Sequence, residues 1–212
     1  MGELGMLLEL LCRLDLKVAP EAIPLLERLT DELLRWNSRR NLTAIIDRDE
    51  VLEKHIADSL TLLPFARQAT HLLDIGSGAG FPSLPLKVVC PLLKVVSVDA
   101  VGKKVDFQRH VARILGLAGF TALHARAENL TDYLAAFDLI TARALCSLAD
   151  LVELAGPLLA PGGRLVAMKG SEGCFEFMKH QEALQEEGWS AVLHNLKLPV
   201  SGAARCLIEL TR

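Results

Sequence analysis

Three glycines on alternate positions, Gly76, Gly78 and Gly80, follow an apolar run that ends in a carboxylate, Leu72-Leu73-Asp74-Ile75, and precede Phe81-Pro82. Glycine adopts the left-handed backbone of a tight turn at no steric cost and leaves no Cβ between chain and ligand. A helix-like stretch from Leu84 to Val89 comes next. The order strand, tight turn, helix N-terminus directs free N–H groups at a polar ligand. A dinucleotide fingerprint reads G-x-G-x-x-G, whereas this chain carries G-x-G-x-G preceded by D-x. A second carboxylate, Asp99, closes the run Lys94-Val95-Val96-Ser97-Val98. It stands about 20 residues past the glycines, where such folds place an acid on a ribose. A vicinal diol donates two hydrogen bonds and a carboxylate accepts both. A solvated strand end would also account for Asp99.

Other residues of chemical type are scattered. His55 is three residues from Asp58 and four from Ser59 in a candidate helix, so the three share a face. A lone histidine is more often structural, and the pair lacks the further ligands of a metal site; no metal is expected. Arg143 ends the strand-like run Phe137-Asp138-Leu139-Ile140-Thr141-Ala142. A guanidinium there can grip a carboxylate or a phosphate through two parallel bonds, or close a salt bridge across the sheet end. Lys169 follows another strand-like run and could meet a phosphate. So could Arg39 and Arg40, for which a solvated loop serves equally well. Cys146 sits where a cytosine-C5 nucleophile would be useful, but without a companion motif it reads as a small buried hydrophobe.

Periodicity outlines the elements that must position these groups. Leu4, Leu7, Leu8, Leu11 and Leu14 predict a helix over 3–16. Ile23, Leu26, Leu29, Leu33 and Leu34 predict a second, from Pro20 or Glu21 to about Trp36. Residues 36–45 read as a polar loop, and Asp49 as the cap of a third helix over 50–63. From His71 on, strands alternate with helices, the pattern of a parallel sheet. Beyond the two strands above, we expect a helix over 102–115, a strand over 121–125, the strand ending at Arg143 and a helix over 147–159. A Pro161-Gly162-Gly163 turn then leads into a strand over 164–168, a helix over 175–187, and extended segments 191–198 and 205–210 that close an antiparallel hairpin. The expected fold is α/β: a Rossmann-like, mostly parallel sheet over 67–212 with an N-terminal helical cap over 1–66. Ligands in such sheets lie at the carboxyl ends of the strands, which gathers Asp74 to Phe81, Asp99, Ala127, Glu128 and Arg143 around one crevice.

The chain has 212 residues, 51% hydrophobic, with net charge −3. The cap carries 8 basic and 12 acidic side chains, the remainder 15 and 14. Bulk charge therefore gives nucleic-acid binding no support, and any such binding needs a local basic patch. Five scattered cysteines without C-x-x-C spacing suggest neither zinc nor disulfides. Glu3 and Glu9 stand where a signal peptide wants positive charge, and no apolar run reaches the ~18 residues of a membrane span. A cytoplasmic protein without membrane attachment is expected.

The D-x-G-x-G-x-G turn, the second acid and the Pro-Gly-Gly before the fifth strand resemble class I S-adenosylmethionine-dependent methyltransferases. An exocyclic-amine enzyme would carry N/D-P-P-Y/F after the fourth strand; here Thr141-Ala142-Arg143-Ala144-Leu145 stands there. Guanine N7 needs no base, because its lone pair is free. Further motifs narrow the resemblance: Trp36-Asn37, Asn41-Leu42-Thr43-Ala44-Ile45, His55 with Asp58-Ser59-Leu60, the run from Asp74 to Pro82, Lys103-Lys104, Arg143-Ala144 and Lys169-Gly170. Together they resemble the ribosomal RNA small-subunit methyltransferase G family, also called glucose-inhibited division protein B. The resemblance implies transfer of a methyl group from S-adenosylmethionine to N7 of a guanine in the decoding-region loop of 16S ribosomal RNA, free or in a small-subunit particle. It implies donor contacts from Gly76, Phe81, the Ala127-Glu128 pair and Arg143; the general fold adds Asp74, Gly78, Gly80 and Asp99. Arg143 is also the candidate for orienting donor or RNA. Arg39, Arg40, His55, Asp58 and Lys169 are the candidates toward RNA, and a monomer is expected. Two positions depart from the family pattern: Ser83 replaces a glycine and Ala100 a serine. Two other readings stay open, a methyltransferase of another RNA or a small molecule, and a non-catalytic nucleotide-binding partner protein. A nicotinamide enzyme is disfavoured by the glycine spacing.

Overall fold

The computed structural model describes residues 3–212, with Glu3 and Leu4 as backbone only, so the predicted contribution of the Leu4 side chain lies outside the described residues. The N-terminal third is helical: α1 (Glu3–Arg13), α2 (Ile23–Arg40), α3 (Arg48–Val51), a π-helical segment (Leu52–Ala57), α4 (Asp58–Leu60) and α5 (Leu63–Ala66). Strands then alternate with α6 (Ser83–Val89), α7 (Gly102–Ile114), α8 (Leu148–Ala155) and α9 (Gly173–Glu186). The strands are β1 (His71–Ile75), β2 (Lys94–Asp99), β3 (Phe120–His124), β4 (Phe137–Arg143), β5 (Leu159–Lys169), β6 (Ser190–Lys197) and β7 (Ala204–Thr211). They form one sheet in the order β3-β2-β1-β4-β5-β7-β6. β1 to β5 pair in parallel, and β7 runs antiparallel between β5 and β6. The order reverses between β1 and β4, which places a crevice at their carboxyl ends. Among the described residues no helix is long and apolar enough to cross a membrane.

Alternation along the strands sorts side chains into two layers. Leu72, Val95, Leu139, Val166 and Leu207 join one core with α6, α7 and the N-terminal helices. Leu73, Ile75, Val98, Ile140, Leu165 and Ile208 join the other, beneath α8 and α9. Leu7, Leu26, Leu29, Leu33, Leu52 and Ile56 of the N-terminal helices belong to the first core, continuous with the sheet.

Several boundaries differ from those read in the sequence. α1 ends at Arg13 because Asp15 turns left-handed (φ 52°), and Leu16 N–H then bonds Leu11 C=O at 2.8 Å; this is a Schellman-type stop. α2 runs on to Arg40, so Arg39 and Arg40 lie on an exposed last helical turn rather than in a loop. Polarity on an outer face does not break a helix. Asn37 points inward instead, and its Oδ1 accepts from Leu42 N at 2.7 Å and Thr43 N at 3.0 Å, shaping the loop that follows. The cap before α3 is Asp47, not Asp49, for Glu50 N–H reaches Asp47 Oδ1 at 3.0 Å. Pro161-Gly162-Gly163 lies inside β5, where residues 160–163 bulge out as pairing jumps from Phe137↔Leu159 to Leu139↔Arg164. The predicted helix over 147–159 divides into α8 and a 3-10 turn at Gly156–Leu158, where Pro157 has no N–H to continue the ladder.

The π segment fastens the N-terminal helices to the C-terminal hairpin. Buried Glu53 accepts from Val200 N at 2.6 Å and Ser201 N at 2.9 Å, while Arg13 Nη1 donates to Pro199 C=O at 3.3 Å. Glu53→Ala strips two amides of their acceptor. Urea unfolding should show a loss of about 1–3 kcal/mol, with faster hydrogen exchange at Val200 and Ser201. Unchanged exchange there would contradict this latch.

Candidate functional site

The glycine turn is left-handed at all three glycines, with φ of 67°, 60° and 88° at Gly76, Gly78 and Gly80. A Cβ on Gly76 would come within 2.5 Å of Leu145 Cδ1, whereas one on Gly78 would meet nothing within 4 Å. The turn is therefore closed at one end and open at its middle. Asp99 joins it directly: Oδ2 accepts from Gly78 N at 2.8 Å and Oδ1 from Val101 N at 2.8 Å. Each oxygen keeps a second lone pair for a ligand. Behind the turn runs a buried polar chain. Gln108 Nε2 donates to Ser77 Oγ at 2.8 Å and Gly78 C=O at 2.7 Å, Ser97 Oγ donates to Gln108 Oε1 at 2.6 Å, and Ser83 Oγ donates to Ser97 Oγ at 3.2 Å. Ser83, the departure from the family glycine, is thus tied into the floor of the turn.

A cavity of about 840 Å³ opens beyond these strand ends, within the usual range for small-molecule sites. Gly76, Asp99, Ala127 and Glu128 line it together. Leu145, Cys146, Asp150 and Leu134 line it too, and no local motif marks Leu145 or Leu134 as ligand-binding. Ala127 and Glu128 arrive on a 3-10 turn, Ala127–Asn129, after β3. Burial pushes the Cys146 thiol up while Lys169 pulls it back, a shift away from the thiolate that a cytosine-C5 nucleophile needs.

Asp74, Phe81 and Arg143 do not line that cavity. In each strand, alternation turns Asp74 and Arg143 toward the helical layer, away from their neighbours Ile75 and Ala142. Phe81 is buried and stacked on His55, with ring centroids 4.7 Å apart, and the Arg143 guanidinium lies 5.8 Å from its ring. Arg143 Nη2 donates to His55 Nδ1 at 3.2 Å, and Nη1 lies 3.2 Å from Lys54 C=O and 3.4 Å from Asp58 Oδ2. Because arginine only donates, His55 carries its proton on Nε2, 2.9 Å from Thr43 Oγ1. Asp58 also accepts from Arg205 Nε at 3.0 Å, a partner no local pattern announces. The shared helical face of His55 and Asp58 therefore serves Arg143. Burial pushes Asp58 up while its two guanidinium partners pull it back, and burial lowers Arg143 against the pull of Asp58 and Asp74.

The remaining predicted cations lie apart. Lys169 Nζ donates to Cys146 C=O at 2.5 Å and pairs with Glu176 at 3.0 Å. Arg39 and Arg40 are exposed, and Lys103 Nζ caps their helix through Arg40 C=O at 2.7 Å and Asn41 C=O at 3.1 Å.

Asp74 accepts from Ser83 N at 3.1 Å through Oδ2; its buried Oδ1 has no partner. Burial drives this carboxyl up to about 7, against the Ser83 bonds and Arg143. Burial, then Arg143, drives His55 down to about 3. Folded Asp74 holds a proton that the unfolded chain releases near 3.8, so its contribution to stability falls as pH rises toward about 7. Folded His55 refuses a proton that the unfolded chain takes up below 6.5, so its contribution is lost on acidification toward about 3. The two trends oppose between about pH 4 and 6.5. Asp74→Asn should leave the histidine unopposed. Unfolding free energy from urea titrations would then rise with pH more steeply than in the unaltered protein, by up to about 1.4 kcal/mol per unit. Parallel profiles for both proteins would refute the assignment.

Comparison with known proteins identifies the family. The family described as rRNA small subunit methyltransferase G matches residues 22–199. A ribosomal RNA small subunit methyltransferase G of Syntrophotalea carbinolica is 47% identical over 207 residues, covering 96% of this chain and 95% of that protein. One from Myxococcus xanthus is 51% identical over 162 residues, 75% of each chain. Among solved structures, an O-methyltransferase from Bacillus cereus in complex with SAH superimposes with TM-score 0.63 at 17% identity, covering 87% of this chain and 91% of that one. A SAM-dependent methyltransferase from Aquifex aeolicus gives 0.60 at 17%, covering 77% and 93%. These two show the shared sheet architecture, and the sequence matches decide the rest: this chain belongs to the rRNA small subunit methyltransferase G family.

Proposed function

We propose that this protein transfers a methyl group from S-adenosylmethionine to N7 of a guanine in the decoding-region loop of 16S ribosomal RNA. Membership of the family makes the chain an S-adenosylmethionine-dependent rRNA methyltransferase. The observation that carries the site reading is the union of glycine turn and Asp99 at the mouth of a cavity of about 840 Å³. A carboxylate with spare lone pairs, a backbone open at Gly78 and an apolar enclosure suit a ribose and an adenine. Asp99 would take the ribose hydroxyls, with Gly76, Ala127 and Glu128 around the nucleoside, while Gly80 keeps the turn tight against Leu84. When bound, the donor supplies an electrophilic methyl on a sulfonium, and alignment provides most of the acceleration.

Arg143 stands across the sheet end from the cavity, and its role is to orient the donor's carboxylate or an RNA phosphate. Phe81, stacked on His55, holds the packing from which Arg143 projects. His55 and Asp58 fix the guanidinium. Both nitrogens of His55 are engaged and its proton affinity is low, so it draws no proton from a substrate. An N7 nucleophile loses none, because the methylated ring simply becomes cationic. Asp74, with its unpartnered oxygen beneath Arg143, would accept from the donor's amino group. Arg39 and Arg40, on the exposed end of α2, would meet phosphates, with residues 1–66 acting as the cap on the RNA side.

Two measurements test this. Mass mapping of 16S rRNA from cells lacking the gene should show an unmethylated decoding-loop guanine, restored by the purified protein; a retained N7 methyl would make the substrate wrong. Asp99→Ala should weaken S-adenosylmethionine binding by about 10- to 100-fold in calorimetry, the scale of losing a charged acceptor of two hydroxyls. Undiminished affinity would remove Asp99 from the donor site.

A further inference from the structure

Residues 144–147 form a strap between β4 and α8 that walls the donor cavity, and one ion pair outside the cavity fixes it. The strap starts at Ala144, which is left-handed (φ 50°) although it is not glycine. Such a conformation persists only where surrounding contacts impose it. Leu145 follows, 43% exposed, with Cδ1 over Gly76, and Cys146 lines the cavity beside it. The far end is Ser147, whose Oγ accepts from Asp150 N at 3.2 Å to cap α8.

The grip comes from β5 and α9. Lys169 Nζ donates to Cys146 C=O at 2.5 Å and pairs with Glu176 Oε2 at 3.0 Å. Glu176 Oε1 accepts from Leu148 N at 2.5 Å. The carbonyl of Cys146 and the amide two residues on are thus held by one pair of opposite charges, whose side chains are 12% and 21% exposed. Gly173 fixes where that pair stands, because a Cβ there would come within 2.2 Å of Cys206 Sγ and 2.4 Å of Lys169 Cβ. Lys169 is fully used by these bonds and is not presented as a phosphate-binding cation.

We propose that Glu176 is a positioning residue of the methyltransferase: through Lys169 and Leu148 it holds the 144–147 strap, and with it Leu145, against the donor. The proposal rests on the donor-site reading above. It assigns Glu176, outside the cavity lining, to retention of the donor and not to the methyl-transfer step.

The test is binding of S-adenosylhomocysteine to the full chain. Glu176→Ala, which removes both acceptor oxygens, should raise Kd about tenfold, chiefly through faster dissociation in stopped flow. Glu176→Gln keeps an acceptor for Leu148 and loses the charge, so it should fall between the two. Hydrogen exchange should quicken at 145–148 and stay unchanged in β1 and β2. Affinity within twofold of the unaltered protein in both variants overturns the proposal, and so does loosening spread evenly over β5 and α9, which would mark a merely structural residue. If the unaltered protein bound no S-adenosylhomocysteine, the donor-site reading would fall and this proposal with it; unaltered binding with indifferent variants sinks the strap alone.

Discussion

A buried carboxylate held between two guanidiniums ties the helical layer of this protein to its sheet. Asp58 is 3% exposed and accepts from Arg143 and Arg205. An ion leaves water only when partners replace its hydration, so the three residues must meet. Their meeting joins the helical layer to the end of β4 and the start of β7. The π-helical segment just before Asp58 follows the same logic. It carries Glu53 toward the β6–β7 turn and His55 toward Arg143, two directions that a regular α-helical pitch would alter. Such one-turn irregularities recur at functional sites.

The same sheet end divides the chemistry between its faces. Ile75, Gly76, Val98 and Asp99 open onto the cavity beneath α8. Asp74, Phe81 and Arg143 belong to the side of the helical layer. In the proposed site a donor spanning that edge would have its nucleoside on one face and its charged end on the other, with the methyl between them. Pleating turns Asp74 away from Ile75 and Arg143 away from Ala142, whereas Asp99 at the very end of β2 reaches the cavity beside its neighbour Val98 because its carboxylate bonds the Gly78 turn.

The two positions read as departures from the family pattern, Ser83 and Ala100, lie beside the glycine turn and Asp99. Ser83 brings a hydroxyl that Ser97 accepts into the buried chain reaching Gly78 through Gln108. Ala100 offers no hydroxyl, and its C=O lies 3.1 Å from His124 Nε2. Asp99 keeps both of its backbone bonds beside it.

Most of the strands and the glycine turn were legible in the sequence, because they are written at short range, although Pro161-Gly162-Gly163 proved to be a bulge within β5. Short apolar runs placed β1, β2 and β4 within a residue of where they lie, and leucine stripes of helical period placed α1 and α2. The glycine spacing, with an acid about 20 residues later, placed Gly76, Gly78 and Asp99 together at the adjoining ends of β1 and β2. Helix ends were read less well, since Asp15, Asn37 and Asp47 act through side-chain and backbone geometry that composition does not encode. Tertiary structure alone decided that Arg143 faces Asp58 across 85 residues of chain and that Arg205 reaches the same carboxylate across 147. It also decided that Lys169 is spent on Cys146 and Glu176. Such meetings follow from how layers stack, and a charge in the sequence carries no mark of the partner that burial will require.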